Sequence, residues 1–237
     1  MLSALAGSLL VIECTNEGSG EIPEDPAGKR NAGKRWGYVF DVDKCIGCCL
    51  CMHACKTEND VPESVYRTWI ERYRINADHT VTVETPSKKD FRFAALPGDV
   101  IKAFFVAKLC NHCDNTPCTQ VCPVGASYQT HDGVVLIDEQ HCVGCGYCVQ
   151  ACPYGTRFLH PVTKVASKCT LCYHRISAGK RPACVTVCPT GARNFGDLND
   201  PKSEVSRLIK RHRYRVLKPE LGTVPRCAYL GLDTEVV

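Results

Sequence analysis

Residues 142–153 read CVGCGYCVQACP. Three cysteines spaced two residues apart, a fourth three residues further on and a proline behind it give the run C-x2-C-x2-C-x3-C-P. A tight loop with this spacing wraps three thiolates round one face of a cubane iron–sulfur cluster and carries the fourth away on a short helix, to a second cluster. One such run therefore demands partners, and the chain supplies three more quartets. They are Cys45, Cys48, Cys51 and Cys55; Cys110, Cys113, Cys118 and Cys122, with the middle gap widened to four; and Cys169 and Cys172 followed after eleven residues by Cys184 and Cys188.

Nineteen cysteines in 237 residues would mark a short secreted chain as a disulfide scaffold. Here sixteen of them fall into four quartets, each opening with C-x2-C, and close sets of thiolates suit a soft metal better than disulfide pairing. Structural zinc sites lack the C-x2-C-x2-C-x3-C-P run, so a zinc-stapled interaction protein is the lesser reading. The preferred one gives all sixteen thiolates, Cys142, Cys145, Cys148 and Cys152 included, to four [4Fe-4S] clusters. Cys49 lies off the register and reads as a packing residue; Cys14 reads as unliganded. The formal charge of +4 then misleads: an oxidised cubane with four thiolates carries about −2, which takes the loaded protein to about −4.

The repeat extends past the ligands. Cys122-Pro-Val-Gly-Ala, Cys152-Pro-Tyr-Gly-Thr and Cys188-Pro-Thr-Gly-Ala are three copies of one turn. From Cys122-Pro through a hairpin signal at Asp132-Gly133 to Cys142 runs the internal repeat of a two-cluster ferredoxin. The fourth cysteines of quartets two and three should therefore cross: Cys110, Cys113, Cys118 and Cys152 hold one cluster, and Cys122, Cys142, Cys145 and Cys148 another. Quartets one and four are left for each other, giving Cys45, Cys48, Cys51 and Cys188 for the third and Cys55, Cys169, Cys172 and Cys184 for the fourth. The competing scheme pairs one with two and three with four, and the short link from Cys152 to Cys169 speaks for it.

The expected fold class is α+β: two interleaved ferredoxin-like units with short helices and hairpins. Residues 1–35 make an apolar arm or signal remnant plus a linker, in which LSALAGSLLVI at 2–12 lacks a preceding basic segment and a small-residue cleavage site. Residues 36–56 and 160–200 form one cluster-holding unit, and 110–159 the other. Trp36, Tyr38, Phe40 and Val42 alternate as a half-buried strand leading into the first quartet. Residues 57–109 are the longest ligand-free stretch, with strands expected at Val65–Ile75, Thr80–Glu84 and Ile101–Leu109. That is more than a loop needs, so it is expected to contact a partner protein; the plainer reading is a hairpin that covers the cluster domain. In residues 201–237 a helix capped by Asp200, with Pro201 first and Glu204 in its first turn, carries the stripe Val205, Leu208 and Ile209. Lys210–Val237 reads as a surface tail.

Nothing in the chain suggests substrate chemistry. There is no P-loop, G-x-G-x-x-G turn or G-x-S-x-G elbow. The basic run at 210–215 has no nucleic-acid motif around it. His53, His112, His131, His141, His160 and His174 read as hydrogen-bonding or surface residues. Lys56 and Lys168 adjoin ligands, where their charge would raise a reduction potential; the equal alternative is a lysine that points to solvent. No stretch is long and apolar enough to span a membrane.

CIGCCLCMHACKTEN, LCNHCDNTPCTQVCPVGAS, CVGCGYCVQACPYGTRFLHP, KCTLCYHRISAGKRPACVTVCPTGA and FGDLNDPKSEVSRL together resemble the four-cluster iron–sulfur subunits of the dimethyl sulfoxide reductase superfamily. The likeness is to those of polysulfide, thiosulfate and tetrathionate reductases and of formate-dependent nitrite reduction, over residues 35 to about 225. It implies a double ferredoxin fold and supports the pairing of quartets one and four. It implies an electron-transfer subunit working between a molybdopterin-type catalytic subunit and an integral membrane subunit that handles quinone. Formate dehydrogenase relatives carry a C-terminal membrane helix missing here, which points to a separate membrane partner. The implied place is the periplasmic, outer face of the cytoplasmic membrane, held there through the partners, with the cytoplasmic face as the alternative. A subunit of a hydrogenase or other quinone-linked complex without molybdenum is the nearest rival reading.

Overall fold

Proline decides how long the helices run. The residue before proline is pushed out of helical conformation, and the three helices that lead into Cys-Pro are held to a single turn. The computed structural model describes residues 33–87, 90–234 and Val236; the apolar arm, Cys14 and the linker as far as residue 32 lie outside the described residues. In chain order the elements are β1 (Trp36–Asp41), α1 (Leu50–Asn59), β2 (Thr68–Asn76), β3 (Val81–Glu84), β4 (Val100–Leu109), α2 (Pro117–Gln120), β5 (Ser127–Gln129), β6 (Val135–Ile137), α3 (Tyr147–Gln150), β7 (Arg157–Leu159), β8 (Ala166–Lys168), α4 (Tyr173–Ile176), α5 (Ala183–Thr186), β9 (Arg193–Asp197), α6 (Glu204–Arg211), β10 (Tyr214–Arg215) and β11 (Cys227–Leu230). Helices α2, α3 and α5, which precede Cys122, Cys152 and Cys188, have four residues each. Helix α1, with Lys56 where the others have proline, continues through its fourth cysteine to ten. The mixture is α+β, as the spacing of the motifs leads one to expect.

The three Cys-Pro turns are alike in space as well as in sequence. Gly125, Gly155 and Gly191 take φ of 67°, 62° and 65°, and each returns its N–H to the carbonyl of its cysteine at 3.4, 3.3 and 3.4 Å. A side chain at these positions would be strained by the left-handed backbone.

Strand β1 lies between β11, its parallel neighbour, and β9, its antiparallel one, in the order β10-β11-β1-β9. All six of its residues are buried, which corrects the expectation of a half-buried strand. The reason is that both faces are covered: α6 lays Val205, Leu208 and Ile209 against Val39, Ala228 and Leu230, while Tyr38 and Phe40 enter the main core. The surface tail is corrected too. Cys227–Leu230 is fully buried, and CAYL lacks polar alternation because a strand covered on both faces needs none. Helix α6 begins at Glu204, later than expected, because Asp200 uses its carboxylate on the Lys202 N–H (2.8 Å) and its carbonyl on the Ser203 N–H (3.0 Å) to form the preceding turn.

The ligand-free stretch forms a sheet of its own, in the order β3-β2-β4. It does more than cover the cysteines: Ile70, Tyr73, Phe104, Val106, Ala107 and Leu109 belong to the main core. Tyr229 ties the two sheets together, its hydroxyl donating to the Ala107 carbonyl at 2.8 Å. Strands β5 and β6 form the hairpin expected at Asp132-Gly133, and β7 pairs with β8.

Candidate metal centres

Two strand pairs bring distant cysteines together by the same arithmetic. In the sheet, Phe40 pairs with Arg193; Cys45 follows Phe40 by five residues and Cys188 precedes Arg193 by five. In the β5-β6 hairpin, Ile137 pairs with Ser127; Cys142 follows Ile137 by five and Cys122 precedes Ser127 by five. Antiparallel pairing at these registers folds both flanks back to one end of the strands.

The result is a set of small cavities. One is lined by Cys45, Cys48, Cys51 and Cys188, with Cys49 beside them. A second has Cys55, Cys169, Cys172 and Cys184 in its wall, and a third has Cys122, Cys142, Cys145 and Cys148. The remaining four also lie together: the Cys113 thiol is pushed up to about 12 by burial first, and by Cys110, Cys118 and Cys152. Cys49 is buried and gives its thiol hydrogen to the Gly47 carbonyl at 3.3 Å, consistent with packing. Among the described residues no three Cys, His, Asp or Glu side chains converge on a point the size of a single ion. The thiols line small cavities, four quartet cysteines to each.

The surroundings of the sulfurs fit an iron–sulfur cluster. Leu171 and Ala166 direct their N–H groups at Cys169 and Cys142 Sγ, both at 3.4 Å. Asn59 Nδ2 lies 3.7 Å from Cys55 Sγ and 3.6 Å from Cys172 Sγ. Burial pushes the Cys45 thiol up to about 11 and that of Cys55 to about 12, so without metal these groups stay protonated and loading them releases protons. Cys188 departs from this. Burial raises it as well, but the Arg193 N–H, the Thr190 hydroxyl and the Ala192 N–H outweigh burial and hold it below the ordinary thiol value.

Cations occupy the interior. Lys168, fully buried, donates through Nζ to the carbonyls of Val135 and, at 2.9 Å, Cys169. Lys56 turns away from its cysteine and holds the carbonyls of Pro62, Glu63 and Val65 at 2.7, 3.1 and 2.8 Å. Arg193 and Arg157 are buried as well. The histidines serve locally: His112 takes the Val135 N–H at 3.0 Å on Nδ1, His174 meets Glu58 and His141 meets Asp138. Arg193, Arg157, Tyr38 and Asn59 escaped the reading of the sequence because they are not ligands. The one available signal was an arginine five residues past the cysteine in two of the three Cys-Pro copies.

Residues 101–198 match the model of the 4Fe-4S dicluster domain. A tetrathionate reductase subunit of Salmonella typhimurium is 43% identical over 205 residues, 86% of this chain and 75% of the relative. Its namesake in Archaeoglobus fulgidus is 44% identical over 215 residues, covering 89% and 91%. A polysulfide reductase subunit of Wolinella succinogenes is 41% identical over 194 residues, covering 81% and 92%. The present chain therefore belongs to this family of iron–sulfur subunits. As an iron–sulfur subunit of the dimethyl sulfoxide reductase family it carries [4Fe-4S] clusters. Among the described residues of the iron–sulfur subunit no helix is long and apolar enough to cross a membrane.

Proposed function

We propose that this iron–sulfur subunit passes electrons singly through four [4Fe-4S] clusters between a molybdopterin-type catalytic subunit and a quinone-reactive integral membrane subunit. The observation that carries the reading is the graded burial of the cysteines. All of Cys55, Cys169, Cys172 and Cys184 are buried, as are Cys110, Cys113 and Cys118; among the described residues the two exposed cysteines are Cys48 and Cys145, one in each outer set. The sets also follow one another. Tyr38 Oη is 3.7 Å from Cys184 Sγ and is bonded to Arg193, which lines the Cys45 cavity. Cys169 feels Cys110 of the next set. The order is therefore Cys45 set, Cys55 set, Cys110 set, Cys122 set, with an open end on each side. Round the open ends stand apolar side chains of the kind that partners cover: Ile46, 62% exposed, at one, and Val143, 64% exposed, with Tyr147 at the other.

The sixteen cysteines act as ligands in the crossed arrangement, Cys45, Cys48, Cys51 and Cys188; Cys55, Cys169, Cys172 and Cys184; Cys110, Cys113, Cys118 and Cys152; Cys122, Cys142, Cys145 and Cys148. This makes two interleaved ferredoxin-like modules, the first from quartets one and four and the second from quartets two and three. The clusters supply one-electron storage; the chain's part is to hold them in series, keep water from the inner two and tune them through N–H groups directed at sulfur. We place the subunit on the outer face of the cytoplasmic membrane, held there through its partners.

Two measurements test this. Anaerobically purified protein should contain about 16 irons with matching sulfide and a broad visible absorption that bleaches on reduction; zinc in place of iron would overturn it. Gentle solubilisation of native membranes should recover the chain with a pterin-containing protein and an integral membrane protein, whereas a chain that always migrates alone is a free polyferredoxin.

A further inference from the structure

The two modules can be aligned residue by residue through the order of their cysteines in the sequence. Cys45, Cys48, Cys51 and Cys55 correspond to Cys142, Cys145, Cys148 and Cys152, and Cys169, Cys172, Cys184 and Cys188 to Cys110, Cys113, Cys118 and Cys122. Five residues beyond Cys188 stands Arg193; at the corresponding place beyond Cys122 stands Ser127. Arg193 is 1% exposed and finds only neutral partners: Nη1 donates to Tyr38 Oη at 3.0 Å, and both Nη atoms reach Thr68 Oγ1 at 3.2 Å. The acidic groups that act on it are Cys51, Cys184 and the Tyr38 hydroxyl. In the second module Ser127 accepts a hydrogen bond at 2.9 Å from Arg157, itself 3% exposed. Arg157 leaves Nε and Nη1 without a hydrogen-bond partner, and it lies within reach of Cys118, Cys110 and Cys148.

Cys51 and Cys184 of the first module correspond to Cys148 and Cys118 of the second. Each module thus has one guanidinium beside the same pair of cysteines, drawn from non-equivalent positions, since the counterpart of Arg157 is Asp60. Duplication of an ancestral module would repeat the residue at the same position. It does not explain the same charge arriving by two routes, so the charge is what the site requires. Among the described residues neither arginine has a carboxylate partner, and an uncompensated buried cation is strongly unfavourable. Cubanes bound by the flanking thiolates, each at about −2, supply the missing negative charge.

From this geometry we infer that Arg193 and Arg157 set the reduction potentials of the two modules, one permanent positive charge between the two clusters of each. The inference rests on the reading of the sixteen cysteines as cluster ligands. Reduction brings one electron to a cluster and takes it from about −2 to about −3 with no proton required; a fixed cation in a poorly polarisable interior favours the reduced form. Because each guanidinium borders two clusters, it raises both.

Redox titration of the purified, cluster-loaded full chain, followed by electron paramagnetic resonance, tests the inference. Arg193→Gln should lower the reduction equilibrium constants of the Cys45 and Cys55 sets about tenfold, about 59 mV for a one-electron couple, and leave the other two sets where they were. Arg157→Gln should do the converse, and the lysine variants should recover most of the shift. Unchanged potentials in glutamine variants with full iron overturn the inference and leave the ligand assignment standing; wild-type chain without iron overturns the ligand assignment itself. If the glutamine variants lose iron while the lysine variants keep it, the need is for charge and the inference holds. Loss of iron from glutamine and lysine variants alike reveals a packing role and overturns it.

Discussion

The two proposed modules would do the same work from opposite kinds of chain. The second would draw its ligands from residues 110–152, with local hairpins to set their register. The first, as proposed, would span Cys45 to Cys188 and depend on a sheet in which β1 is flanked by the strands at residues 193–197 and 227–230. The lesson is that a metal-binding loop carries its own local instructions but not its partner: the second module finds the partner through a turn, the first through long-range strand pairing, which closes large loops and forms more slowly.

The sharpest way to break this comparison is to exchange ligands. Cys188→Ser and Cys45→Ser should perturb one and the same paramagnetic signal, although 143 positions separate them, and Cys122→Ser and Cys142→Ser should perturb another. Should Cys188→Ser instead alter the signal shared with Cys142→Ser, the separation into modules fails.

Next in size is the closing strand. Tyr229 is wholly buried, edge-on to Phe40 with ring centres 6.0 Å apart, and bonded to the Ala107 carbonyl. Tyr229→Ala should cost about 3–5 kcal/mol, as truncation of a large buried aromatic does. The cost should fall on the first module alone: a chelator should strip about half of the roughly 16 irons quickly and the rest at the wild-type rate. Uniform loss would show that the modules stand or fall together. Tyr229→Phe, which removes the hydroxyl's bond to the Ala107 carbonyl and its contact with the Cys227 thiol, should cost about 1–3 kcal/mol.

The smallest effect concerns the end of α1. Lys56→Met removes the ammonium from three backbone carbonyls and from the face of Tyr66, 4.4 Å away. About 1–2 kcal/mol of local stability should go, seen as faster hydrogen exchange over residues 61–66 with no change in either module's iron. Exchange that accelerates throughout the first module would make Lys56 part of its framework.

The four cysteine quartets were legible because a cluster dictates the spacing proposed for them, and the β5-β6 hairpin because Asp132-Gly133 marks its turn. What escaped depends on tertiary cover. Trp36–Asp41 alternates large and small as a half-buried strand would, and only α6 on one face and the main core on the other bury both. Cys227–Leu230 has four buried residues and no period to reveal it. Asp200-Pro201 carries the signs of a helix start, yet Ser203 stands immediately before the helix; the two differ by less than a turn, which local propensity does not resolve. Arg193 and Arg157 are invisible to a search for ligands, since their significance lies in which cysteines they stand beside.

The parallel pairing of β1 with β11 has a consequence for how the protein is made. A ribosome delivers the first quartet early, but the strand that closes its sheet emerges only after every other cluster ligand has left the tunnel. On the proposed ligand sets the second module could be completed while synthesis continues past it, and the first would have to wait. Its thiols would pass through most of translation with their partners unmade, open to oxygen and to mispairing, and the cluster whose ligands begin nearest the N-terminus would be among the last to be enclosed.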